Sequence, residues 1–126
     1  MRKVLIIGIN YIGTPYELIG CIYDVYNIKS FLINKGFLES EIRTLTECSL
    51  ENYKEYLKDP HKLKYNVTLP DTNNIINSIK WLLDVNQKEK NSLYFFYSGH
   101  GGQTKDKNKD EIDGLDETCL LYTSPS

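Results

Sequence analysis

The sequence predicts an α/β domain with a mainly parallel sheet and helices on both faces. Three observations carry this. Residues 3–9, "KVLIIGI", form a continuous apolar run rich in β-branched residues, the pattern of a strand covered on both sides. Residues 20–35 and 71–83 carry apolar side chains at helical spacing instead. Strand-like and helix-like stretches then alternate, which calls for parallel crossover connections.

The first strand spans residues 1–9. A signal peptide is the competing reading of Met1-Arg2-Lys3 and the apolar run. Gly8 and Asn10 interrupt that run, and no small-residue cleavage site follows before Tyr16. Val4–Ile9 is also too short to span a bilayer, so an intracellular, cytoplasmic protein without a membrane segment is expected. Residues 10–19 carry Asn, Gly and Pro and read as a loop. Cys21, Val25, Ile28 and Leu32 make one helical stripe, widened by Ile22 and Phe31, and Gly36 suits the left-handed residue after a helix. Residues 42–46 form a short second strand.

Residues 47–70 are rich in Lys, Glu, Tyr and Asn and read as a surface excursion with one helical turn. Asp71 or Thr72 caps a helix whose buried face is Ile75, Ile76, Ile79, Leu82 and Leu83. Residues 92–97 make a buried strand. The polar, acidic residues 103–117 read as a loop, and Cys119–Tyr122 start a further strand.

Composition narrows the function. The length of 126 residues suits one domain with a real core, and 40% hydrophobic with 25% charged residues excludes disorder. Net charge is −2 with Lys and Arg spread along the chain, so no nucleic-acid footprint is present. Cys21, Cys48 and Cys119 are odd in number and widely spaced, which argues against a disulfide framework or zinc site. The sequon at Asn66 carries little weight without a secretory signal.

The chemistry concentrates in "YFFYSGHGGQ", residues 94–103. His100 directly follows a strand and can move a proton near neutral pH. Glycines at 99, 101 and 102 let the backbone turn and approach a ligand, and the Gly101 N–H is a candidate oxyanion donor. Working residues of parallel sheets gather at the carboxyl ends of the strands, so Asn10, Cys21, Asp24 and His100 are expected in one cleft. Asp24 is either a helix-dipole partner or an anion for a basic ligand. Ser98 suits pocket lining better than nucleophilic attack, because two residues on one turn give poor geometry with His100. Gly8–Gly13 resembles part of a phosphate loop but lacks its lysine. Asp106, Asp110, Glu111, Asp113, Asp116 and Glu117 form an acidic run, oxygen-rich but without the EF-hand spacing.

Taken together, "LIIGINYIGTPYELIGCIYDVYNIKSFL", "LPDTNNIINSIKWLL", "NSLYFFYSGHGGQTKD" and "DEIDGLDET" resemble the N-terminal part of the catalytic domain of a type I metacaspase, a caspase-like cysteine peptidase, over residues 3–118. The resemblance implies a caspase-like α/β/α sandwich and a Cys-His dyad that cuts peptides or proteins after Arg or Lys. It implies His100 as the catalytic histidine and Gly101 as the oxyanion-hole donor. It places Cys21, Asp24 and Ser98 in the pocket for the basic side chain, where a carboxylate pairs with guanidinium or ammonium. It implies calcium dependence, with Asp116 supplying one ligand. The family's Asp-x-Cys nucleophile motif is absent, and residues 119–126, "CLLYTSPS", depart from the pattern and read as an atypical, artefactual tail. The expectations are therefore an incomplete sheet with an open edge, and no peptide cleavage by these 126 residues alone. The alternatives are a caspase-like module that binds basic peptides or regulates an active partner, and, more distantly, a small nucleotide-binding domain.

Overall fold

The structure, a computed structural model, describes the backbone of residues 1–105 and 115–119 and the side chains of residues 1–101. Three parallel strands make the main sheet: β1 (Arg2–Gly8) in the centre, β2 (Ile42–Leu45) on one side and β3 (Ser92–Ser98) on the other. Val4 of β1 stands opposite Ile42 of β2 and Tyr94 of β3, so the three strands share one register.

Alternation along β1 sends its side chains to two faces, and each face has its own helix. Val4 and Ile6 pack with Val25 and Leu32 of α1 (Cys21–Asn34). Leu5, Ile7 and Ile9 pack with Ile75 and Leu82 of α3 (Thr72–Leu83). The result is the expected three-layer α/β/α arrangement. Val4, Leu5, Ile6 and Ile7 are each at most 1% exposed, and burying such a side chain contributes about 1.5–3 kcal/mol.

The helix ends follow the sequence. Gly36 takes φ +98° after α1, and the Phe37 and Gly36 amides donate back to the carbonyls of Leu32 and Ile33. That is the Schellman arrangement a glycine permits. Asp71 caps α3, its side chain accepting from the Asn74 amide at 2.9 Å.

Four expectations need correction. β3 is an edge strand among the described residues, with Tyr94, Phe95 and Phe96 at 45%, 47% and 38% exposure; an apolar run marks a strand but not whether both its edges are covered. Residues 50–58 form a second helix, α2 (Leu50–Lys58), capped by Ser49 and anchored by the fully buried Tyr53, followed by a short 3₁₀ turn at Pro60–Lys62. Residues 101–105 and 115–119, read as mostly loop, form an antiparallel pair, β4 (Gly101–Lys105) and β5 (Leu115–Cys119). Cys119 therefore closes a strand rather than opening one, and residues 120–122 lie outside the described residues. Finally, Ile76, Leu83 and Phe31 point outward. The helices each bury a narrower stripe than the apolar residues alone suggest.

No helix among the described residues is long and apolar enough to cross a membrane.

Candidate functional site

The site lies where the sequence expects it, at the carboxyl ends of β1, β2 and β3. The chain leaves β1 through Ile9 and Asn10, both fully buried. Gly20 precedes α1 and has no side chain with which to cap it. Asn10 performs that task from a distance: its Oδ1 accepts from the amides of Cys21 (2.9 Å) and Ile22 (3.2 Å). Two orphan donors at the helix start are thus satisfied by a loop eleven residues upstream. Gly8 permits this closeness. A Cβ there would run into the Val25 side chain and lie 2.7 Å from the Cys21 carbonyl oxygen.

The loop is itself held by Glu47, two residues beyond β2. Its carboxyl oxygens accept from the amides of Asn10 (2.5 Å) and Ile12 (2.7 Å), and the side chain is wholly buried. Burial pushes the Glu47 carboxyl up, and the amide donors partly pull it back. Between the two clamped amides sits Tyr11 with φ +54°, a left-handed conformation that costs a non-glycine residue on the order of 1–2 kcal/mol.

Tyr11 packs on His100, ring centroids 5.0 Å apart. The Tyr97 hydroxyl donates to the His100 carbonyl at 2.8 Å and lies 3.1 Å from the Tyr11 hydroxyl. Gly99 makes room for this pair, since a Cβ there would fall 2.7 Å from the Tyr97 hydroxyl. This glycine clears space for a tyrosine, where the sequence suggested space for a ligand. The imidazole Nε2 lies 2.5 Å from the Tyr16 carbonyl oxygen. A carbonyl only accepts, so this contact selects Nε2–H and leaves Nδ1 as the other ring nitrogen. The loop carrying Tyr16 is braced by Glu17, whose Oε1 accepts from the Gly13 amide (2.7 Å) and from the Tyr56 hydroxyl of α2 (2.9 Å).

Asp24, in the first turn of α1, faces Ser98 at the end of β3. The Ser98 hydroxyl donates to Asp24 Oδ2 at 2.8 Å. Both border a groove of about 290 Å³ that runs between α1 and β3, with Ile6, Ile7, Val25, Ile28 and Phe96 supplying its apolar lining and Asn27 and Tyr97 completing it. The groove is thus mostly apolar along its walls and carries a carboxylate at one end. Cys21 adjoins the same corner. Burial pushes its thiol up, with Asp24 adding to the effect and a hydrogen bond to Ser98 opposing it. Cys48, buried beneath α2 beside Ile22 and Tyr53, is pushed up to about 12 by burial and by Glu47. Neither thiol is disposed to ionise at neutral pH.

Cys21, Asp24, Ser98 and His100 therefore share one end of the sheet, as the sequence suggests. Gly101 opens β4 opposite Cys119 and is exposed. Of the acidic run, Asp106, Asp110, Glu111 and Asp113 lie outside the described residues, and Asp116 enters only as β5 backbone opposite Thr104. Among the described residues no three His, Cys, Asp or Glu side chains gather as metal ligands. Sequence reasoning missed Glu47, Tyr11, Tyr16 and Tyr97. One signal was available for Glu47: an acidic residue directly after a strand occupies the same sheet end as His100.

The family profile described as "Metacaspase, peptidase C14 domain" matches residues 2–123. The chain is similar to Metacaspase-1 of Schizosaccharomyces pombe, 37% identical over 118 residues, covering 93% of this chain and 24% of that protein. It is similar to Metacaspase-1 of Saccharomyces cerevisiae, 42% identical over 117 residues, covering 92% and 24%. Metacaspase-1 of Candida albicans is 39% identical over 121 residues, again covering 92% and 24%. The chain spans about a quarter of the length of these curated relatives.

Proposed function

The chain belongs to the metacaspase, peptidase C14 domain family, and we propose that it supplies the histidine-bearing half of a cysteine endopeptidase that cuts after Arg or Lys. In this reading His100 protonates the leaving amine through Nδ1 while Tyr16 holds Nε2–H. The Gly101 amide stabilises the developing oxyanion. Asp24 pairs with the basic side chain of the substrate, Ser98 orients that carboxylate, and Cys21 fills the corner behind them. The observation that carries the reading is the Ser98–Asp24 bond at the mouth of an apolar-walled groove, at the same sheet end as His100. A long aliphatic stem with a cationic tip matches such a groove.

The nucleophile is assigned to an Asp-x-Cys segment outside these 126 residues. The raised thiols of Cys21 and Cys48 support that assignment, because the thiolate is the attacking species. Carboxylates of the acidic run, Asp116 among them, are hard oxygen donors of the kind calcium takes, and calcium as an activator is part of the proposal.

The test is hydrolysis of Arg-, Lys- and Asp-containing peptides by the full chain, meaning residues 1–126 together with the proposed Asp-x-Cys segment, with and without a calcium chelator, and by residues 1–126 alone. The full chain should cut after Arg or Lys only, lose activity on His100→Ala and weaken on chelation. Residues 1–126 should not cut. Cleavage by residues 1–126 that disappears on His100→Ala would overturn the nucleophile assignment. The second reading, a module that grips basic peptides without cutting them, is favoured by the two buried thiols. It predicts Arg-peptide binding that vanishes on Asp24→Ala with no product formed.

A further inference from the structure

The buried carboxyl of Glu47 takes no part in the chemistry proposed above, yet the contacts that hold both sides of the cleft pass through it. We propose that Glu47 is a positioning residue that fixes His100 and Asp24 relative to each other. This rests on the roles given above to those two residues.

Two branches leave one carboxylate. Its oxygens bind the amides of Asn10 and Ile12, which flank Tyr11. The first branch runs through the Asn10 side chain to the amides of Cys21 and Ile22, and so sets the start of α1, which carries Asp24 within its first turn. The second runs through Tyr11, held left-handed between the two clamped amides, to the ring of His100 and, by way of the Tyr97 hydroxyl, to the His100 carbonyl. Glu47 is itself anchored. The Asn66 amide donates to its carbonyl at 2.7 Å, and Asn66 Nδ2 donates to the Thr46 carbonyl at 2.8 Å. It follows β2, which is paired to β1, by two residues.

The chemistry calls for a carboxylate. The Asn10 amide donates to one carboxyl oxygen and the Ile12 amide to the other, and a carboxylate supplies both acceptors without turning a donor toward either amide. A glutamine of the same shape offers one oxygen and turns an NH₂ donor on the other amide. Serine is too short to reach the pair, whereas aspartate reaches less far but keeps both oxygens. An acidic residue buried merely to fill space would need no such match.

The test compares Glu47→Gln and Glu47→Asp in the full chain, using kcat and KM for an Arg peptide and the ring-nitrogen NMR signals of His100. Fluorescence of Trp81, on the opposite helix layer, checks the fold. Glu47→Gln should lower kcat/KM by about 100-fold, the loss expected for a displacement near 1 Å. The loss should divide between a lower kcat, from His100, and a higher KM, from Asp24. The His100 ring signals should move, and Glu47→Asp, which keeps both oxygens, should recover part of the loss. A lower melting temperature with kcat, KM and His100 signals at wild-type values would overturn the proposal. Should Glu47→Gln not fold, Asn10→Ala cuts only the branch to α1: it should raise KM and leave the His100 signals in place, and a lower kcat with KM unchanged would overturn the proposal. If the wild-type chain cuts no Arg or Lys peptide, the peptidase reading fails, while the His100 signals of the variants still decide the positioning claim.

Discussion

The Ser98 hydroxyl donates to Asp24 at 2.8 Å. Ser98→Ala leaves the carboxylate in place but free to turn, so a hydrogen bond to a charged group is lost at an exposed site. We expect KM for an Arg peptide to rise about 3–10-fold with kcat nearly unchanged, in line with roughly 1 kcal/mol for such a bond. Steady-state kinetics on the full chain checks this, and an equal fall in kcat would instead give Ser98 a part in the chemical step. His100 and Asp24 were legible in the sequence because unusual neighbours mark them: glycines around the histidine, and an apolar helix start around the aspartate. Glu47 was not. A single acidic residue beside Cys48 looks like any solvated side chain, and its burial depends on amides thirty-five and more residues upstream. The tyrosines were hidden by their number, since ten of them leave no one position conspicuous.

At the scale of elements, the site depends on how closely α1 lies on β1. Gly8 is the contact point, and Gly8→Ala forces the Val25 side chain and the Cys21 carbonyl apart. Overpacking of this kind costs about 1–3 kcal/mol. Chemical denaturation should show that loss, and because α1 must shift, binding of an Arg peptide should weaken as well. Unchanged stability would mean that the helix re-seats without strain. The strands β1, β2 and β3 and the helices α1 and α3 were legible from apolar period, glycine and cap residues. The second helix was not, since α2 is polar on most sides and Tyr53 is its only fully buried residue. The pair β4–β5 was hidden because "GGQTK" and "LDETC" lack the alternation of a strand covered on one face.

For the molecule as a whole, the exposed edge of β3 is the liability. Tyr94, Phe95 and Phe96 lie on a strand with an unpaired side among the described residues, a template for pairing with another chain. Residues 1–126 should therefore self-associate with rising concentration, and Phe95→Lys should reduce it. Light scattering across a dilution series decides the matter, and a monomer at every concentration would show that this edge is covered or inert. Apolar patterning alone did not reveal the edge. Burial on the two faces of a strand is written in alternation, whereas the hydrogen-bonding sides of a strand leave no trace in side-chain chemistry.

The order of strands also sets a clock. Among the described residues the earliest strand is the central one, and Arg2 finds its partner only at Ser92, Gly8 only at Ser98. A ribosome needs on the order of 5–20 s to add that much chain. Until then "VLIIGI" has β2 on one side and nothing on the other. For that interval the nascent chain presents its most apolar segment to the cell, and its folding is set by the arrival of β3 more than by any property of the first strand itself.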